Sequence, residues 1–209
     1  ESVTTIGDYT LSGCTSLINI SLPTSLTTIG HYTLSGCTSL INLSLPASVT
    51  TIGDYTFSSC SSLTSILIPE SVTTIGYYAF SDIPNLSNIT IKSYIANLYH
   101  AFPDSNPSNM TVTFDYLGNV PDSAFANKTN LNTVILGNLI TGVENNAFGG
   151  CSSLPSITFP DSVTTIGDYA FGGCSSLYSI IFSASLTTIS NNAFMNCINL
   201  PSITLPDSV

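Results

Sequence analysis

Six cysteines, two histidines and a recurrent aspartate are the residues of this chain with chemistry to offer, and their spacing decides which chemistry. Cys14, Cys37 and Cys60 lie 23 residues apart, as do Cys151, Cys174 and Cys197. Zinc sites built from cysteine use closely paired ligands such as C-x-x-C, and no such pair occurs here. Disulfides fare no better. Equivalent side chains of stacked segments point the same way about 4.8 Å apart at Cβ, beyond the usual ~3.5–4.5 Å. The spacing predicts instead a ladder of small thiols facing a core, the common habit of free cysteine. Ile83 fills the same column, as a packing position allows.

Neither histidine has a fixed nucleophile beside it. His31 replaces the aspartate found at Asp8, Asp54 and Asp168, which marks a variable turn position, and His100 lies where the repeat is irregular. A hydrolytic triad needs nucleophile, base and orienting group in contact, so no enzyme is expected. The aspartate column is interrupted by His31, Tyr77 and Asn145. Calcium needs six or more oxygens around one point, so the carboxylates read as solvated turn residues and neither metal nor cofactor is expected. Tyr9, Tyr32, Tyr55, Tyr78 and Tyr169 form the neighbouring column, which predicts a stacked aromatic ladder along one edge.

Charge narrows the partners. The 209 residues carry 12 acidic groups against Lys92 and Lys128, with no arginine and a net charge of −10. Nucleic acid is excluded, because a phosphate backbone is held by several cationic contacts, and anionic membrane surfaces are disfavoured on the same ground. No apolar run reaches the ~18–20 residues that span a bilayer. Charged residues make up 7% of the chain; Ser, Thr and Asn supply the polarity and favour turns at short intervals.

The elements that position these residues are repeats. Three residues before the cysteine column stand Leu11, Leu34, Phe57, Phe80, Phe102, Phe125, Phe148, Phe171 and Phe194, and only the step from Phe80 to Phe102 is 22. The irregular unit therefore spans about 93–115, and the nine units follow without a linker, so residues 1–209 read as a single array. The chain begins and ends at one phase of the repeat, which predicts a piece of a longer array. Two further columns hold Val3, Leu26, Val49, Val72, Leu117, Ile140, Val163, Leu186 and Leu17, Leu40, Leu63, Leu86, Leu131, Leu154, Leu177, Leu200. Leu-x-x-Ile-x-Leu-Pro alternates as a half-buried strand does and is closed by proline. A unit this short cannot bury its own apolar face, so neighbours must stack into one core.

Units such as Ser162-Val-Thr-Thr-Ile-Gly-Asp-Tyr-Ala-Phe-Gly-Gly-Cys-Ser-Ser-Leu-Tyr-Ser-Ile-Ile-Phe resemble the BspA-like (Treponema pallidum-type) leucine-rich repeats over almost the whole chain. The resemblance implies a β-rich, right-handed solenoid of nine ~23-residue units with a parallel concave β-sheet. It also implies a cell-surface or extracellular protein that adheres to host or microbial proteins. The fifth unit departs from the pattern, with Ser105 in the cysteine column and the leucine replaced near Ser108.

Two surfaces could hold a ligand. Outward strand positions are uncharged and include Ile18, Asn19, Ile41, Asn42, Leu67, Asn88, Ile135, Tyr178 and Ile181. The irregular unit gathers Tyr99, His100 and Asp104. A host or microbial surface or matrix protein, or a glycan, fits a neutral face of hydroxyls, amides and scattered apolar side chains. A structural spacer without a ligand is the alternative. Uncapped end units predict end-to-end self-association. Six N-glycosylation sequons, at Asn19, Asn42, Asn85, Asn88, Asn109 and Asn127, would matter in a secreting eukaryote.

Overall fold

Each Val-Thr-Thr-Ile segment puts β-branched residues side by side, and the result is a strand two residues long that pairs with its counterpart one repeat later. The computed structural model describes residues 2–102 and 109–209 in two compact stretches, Glu1–Pro107 and Ser108–Val209. Asp104 and Ser105 of the irregular unit, and Ser108, lie outside the described residues.

The first stretch runs β1 (Thr5–Ile6), β2 (Thr28–Ile29), β3 (Thr51–Ile52), β4 (Ser65–Ile68), β5 (Thr74–Ile75), β6 (Asn88–Ile91) and the helical turn α1 (Leu98–Ala101). β1, β2, β3 and β5 form one parallel sheet in which Thr28 faces Thr5 and Thr51, and Ile52 faces Ile29 and Ile75. The Leu-x-x-Ile segments make a second parallel ladder, β4 with β6; in the two turns before it the pairing shrinks to one bridge, Asn19 to Asn42. The second stretch contains β7 (Met110–Phe114), β8 (Gly118–Val120), β9 (Leu131–Leu136), β10 (Ile140–Val143), β11 (Ser156–Thr158), β12 (Thr165–Ile166), β13 (Ser179–Ile181) and β14 (Thr188–Ile189). Here β8, β10, β12 and β14 are one parallel sheet, while β7 pairs with β9 and β11 with β13. Within each stretch the chain is a parallel-sheet solenoid, and α1 in the first is the one α-helical turn among the described residues.

The close spacing of the turns explains the glycine after each isoleucine in the first stretch. A Cβ on Gly53 would lie 2.7 Å from the carbonyl carbon of Gly30 and the amide nitrogen of His31, closer than atoms pack. Gly53 N–H donates to Ile29 O at 2.8 Å and Gly76 N–H to Ile52 O at 2.8 Å, each to the turn before. Serine and threonine add side-chain rungs of the same kind. Ser48 and Ser71 Oγ donate to Leu26 O and Val49 O at 2.6 and 2.7 Å, and the buried Thr56 Oγ1 to Gly30 O and Gly53 O at 3.0 and 2.7 Å. Uncharged hydroxyls thus satisfy backbone acceptors that would be costly to leave bare, which accounts for a solenoid with so little charge.

The core follows the columns. Phe57, Phe80 and Phe102 are fully buried and stacked, with centroids 5.3 and 4.7 Å apart; Phe148, Phe171 and the half-buried Phe194 stack likewise at 5.3 and 5.5 Å. Leu40, Leu63, Leu86, Leu131, Leu154 and Leu177 are fully buried. The thiol ladder is present: Cys37, Cys60, Cys151 and Cys174 are buried, and none of the six cysteines is in a disulfide. Five of the six, from Cys37 on, also donate Sγ–H to the carbonyl 26 residues earlier, as Cys60 does to Leu34 O at 3.2 Å and Cys174 to Phe148 O at 3.2 Å. Lys128 occupies the same column and is buried as well.

Apart from Val3, 54% exposed on the open first turn, one core expectation of that column fails. Leu117, assigned to the column of Val72 and Val163, is 75% exposed, and Tyr116 is buried instead, its hydroxyl donating to Asn119 O at 2.8 Å. The cause is a register slip: Gly118 faces Ile140 but Asn119 faces Gly142, so Thr141 bulges, and Gly118 takes a φ of +137° that only glycine adopts readily. The lost residue of the fifth unit is also located. Phe57 N–H donates to Ala79 O, 22 residues on, but Phe80 N–H to Ala101 O, 21 on, while Tyr78 still reaches His100 O at 22. The deletion falls between His100 and Ala101, inside α1.

Candidate binding surface

Side chains at alternate positions of a strand leave opposite faces, so the residues between Leu, Ile and Leu of each strand must point away from the core. The structure places the sequence candidates there. Ile18, Ile41, Leu67, Ile135, Tyr178 and Ile181 are between 46% and 58% exposed, and Asn19, Asn42 and Asn88 are exposed too.

In the first stretch some of these meet. Ile41 N–H donates to Ile18 O at 3.1 Å, which stacks the two isoleucines on consecutive turns. Asn42 Nδ2 donates to Asn19 Oδ1 at 3.3 Å beside them. Leu67 lies opposite Thr90 and Asn88 opposite Ser65 on the β4–β6 ladder. The candidates of the irregular unit sit elsewhere, on α1, both exposed. The His100 ring stands edge-on to Tyr99 at 5.2 Å and tilted against Tyr77 at 4.7 Å. Asp104 lies outside the described residues.

In the second stretch Ile135 faces Thr113 across the β7–β9 ladder, Ile181 faces Thr158 across β11–β13, and Tyr178 N–H donates to Pro155 O at 2.9 Å. Proline at 155 has no proton to make the matching bond back to the preceding turn, and β11 joins β13 rather than β9. A groove of about 440 Å³ lies there, lined among others by Asn132, Thr133, Ile135, Asn138, Pro155 and Thr158. The sequence candidates include Ile135 at this groove but not the groove itself; the proline at 155, where the next turn carries the Tyr178 N–H, was its signal.

The aspartate column has a role that the reading of solvated carboxylates missed. Asp8 Oδ1 accepts His31 N–H at 2.7 Å, Asp54 Oδ1 accepts Tyr77 N–H at 2.7 Å, and Asn145 Oδ1 accepts Asp168 N–H at 2.8 Å. Each side chain caps the same position one turn later. Beside it, Tyr9, Tyr32, Tyr55 and Tyr78 stack with centroids 4.9, 4.8 and 5.2 Å apart. Among the described residues no group of three or more His, Cys, Asp or Glu is arranged to hold a metal ion, and no helix is long and apolar enough to cross a membrane.

The model of the BspA type leucine rich repeat region matches in six copies over residues 1–109 and 98–209. The chain belongs to the BspA-type leucine-rich repeat family. A comparison with curated protein sequences found no significant match. Among solved structures, this BspA-type chain is similar to a leucine-rich repeat protein of Bacteroides ovatus at 24% identity, covering 95% of this chain and 81% of that one with a TM-score of 0.42. A leucine rich cell surface protein of Faecalibacterium prausnitzii is 27% identical over 95% and 68% of the two chains, with a TM-score of 0.43. The leucine rich repeat protein of T. pallidum is 24% identical over 95% and 72%, with a TM-score of 0.42.

Proposed function

We propose that this BspA-type chain is a non-enzymatic binding module, working outside the cell or at its surface, that offers its strand face to a host or microbial protein. The observation that carries the reading is that each stretch exposes apolar side chains on its strands, Ile18, Ile41 and Leu67 in the first and Ile135, Tyr178 and Ile181 in the second, among hydroxyls and amides and without a charge. Apolar and aromatic side chains with few charges are the composition of an interface core, and grouped exposed apolar side chains mark interaction sites more often than isolated ones do. Desolvating such a face costs little. The family membership supports the extracellular placement.

A spacer with no ligand is the competing reading, favoured by polar side chains such as Asp8 and Asn145, which cap the backbone of the next turn. Surface plasmon resonance on immobilised matrix glycoproteins separates the two. The module shows saturable binding that the Ile18→Ser/Ile41→Ser and Tyr178→Ser variants weaken about tenfold or more; a spacer shows none. Removing the glycans from the immobilised proteins leaves binding intact if protein is recognised and abolishes it if carbohydrate is.

A further inference from the structure

The tyrosine ladder stands apart from the strand face and calls for its own account. Tyr9, Tyr32, Tyr55 and Tyr78 have φ between 53° and 57°, as do Ser123, Asn146, Tyr169 and Asn192 in the same column. This left-handed conformation suits asparagine and is uncommon for a bulky aromatic residue. In the second stretch the column reads Ser123, Asn146, Tyr169 and Asn192, whereas each of the first four turns uses tyrosine. Ring stacking returns part of the cost, yet the rings are not interior: Tyr9 and Tyr78 are exposed, and Tyr32 and Tyr55 half-buried.

Stacking occupies the ring faces and aligns the phenol oxygens in a row at the stacking repeat. The column beside them holds Asp8 and Asp54, with His31 between. Burial, then the neighbouring Tyr55, Tyr9 and Asp54, push the Tyr32 phenol up from its ordinary range, so at physiological pH it is a neutral hydrogen-bonding group close to the Asp54 carboxylate. Tyr77 and the His100 ring continue the aromatic patch.

We infer that the tyrosine edge of the first stretch is a docking surface for a basic peptide segment, whose arginine or lysine side chains donate to the phenol oxygens and to the Asp8 and Asp54 carboxylates. The surface complements a cation in charge and in hydrogen-bonding sense, since phenol oxygens and carboxylates accept and cationic side chains only donate. Tyrosine is among the residues that dominate interface affinity. The inference is independent of the strand face.

The test uses a fluorescent octa-arginine peptide titrated into the full chain at physiological ionic strength, read by anisotropy. Tyr32→Asn/Tyr55→Asn keeps the net charge at −10 and inserts the residue the column already holds at Asn146 and Asn192. It should weaken binding about tenfold or more with melting unchanged. Should that variant unfold, Tyr32→Phe/Tyr55→Phe, which keeps the stacked rings and removes only the oxygens, carries the test with the same expected loss. Ile18→Ser/Ile41→Ser should bind octa-arginine as the parent does. Equal affinity in the tyrosine variants means attraction to net charge alone and overturns the inference, as does loss of binding in the strand-face variant.

Discussion

His31 Nδ1 accepts the backbone N–H of Asp54 at 2.9 Å, and so fills in an aspartate column the acceptor role that Asp8 and Asp54 fill for the turns after them. The histidine is a substitute acceptor. Asn145 shows that a neutral amide does the same work. His31→Asn should therefore leave stability within about 0.5 kcal/mol of the parent. His31→Ala strips the Asp54 amide of its acceptor and should cost roughly 0.5–1.5 kcal/mol. Urea unfolding midpoints measure both.

The buried thiols make stability fall in alkali. Burial pushes Cys60 up to about 12 from 9.0, and Cys174 further still. Below pH 9 the folded and unfolded chains both hold these protons, so there is no pH dependence from them. Above pH 9 the unfolded chain ionises while the folded one cannot, so stability is lost from pH 9 up through about pH 12 at roughly 1.4 kcal/mol per pH unit for each such thiol. Cys60→Ala should flatten the slope of melting temperature against pH in that window. In native protein at pH 8, a thiol reagent should label Cys14 and Cys197 first and the four buried thiols only as fast as the chain opens.

Backbone geometry separates two small substitutions of opposite sign. Ser59 sits at φ 60° in the column where Gly13, Gly36, Gly150 and Gly173 lie at 73–76°, so Ser59→Gly should stabilise by about 0.5–1 kcal/mol. Gly53→Ala places its Cβ 2.7 Å from the previous turn's backbone and should destabilise by about 1–3 kcal/mol. Thermal melts of the two variants should move in opposite directions.

The slipped turn provides a test of the core assignment. Tyr116→Ala removes a buried ring and should cost about 3–5 kcal/mol, whereas Leu117→Ser, at an exposed position, should change stability by less than about 0.5 kcal/mol. The reverse ranking would restore Leu117 to the core.

These cases show what a sequence of this kind displays and what it conceals. Phe57, Leu63 and Cys60 were legible as columns because a large apolar residue or a thiol recurring every 23 positions has to face the same core each time. Ile18, Ile41 and Tyr178 were legible as outward because alternation fixes the face. Leu117 was misread because column arithmetic assumes a constant register, and the bulge at Thr141 with Gly118 beside it breaks that. The acceptor role of Asp8, the left-handed backbone under Tyr32 and the opening at Pro155 depend on which polar atoms the next turn brings near. Such pairings are set by the stack and leave no periodic apolar trace.

The central claim is that turns stack in parallel, each amide after a Thr-Ile strand bonding to the carbonyl 24 residues earlier. Scalar couplings across hydrogen bonds, measured by NMR on the isotope-labelled chain, read those bonds one by one. The structure requires couplings from Gly53 to Ile29 and Gly76 to Ile52 in the first stretch, and from Gly167 to Val143 and Ser190 to Ile166 in the second. Couplings from these amides to carbonyls within their own repeat, or pairings whose offset changes from one strand to the next as antiparallel strands demand, would contradict it.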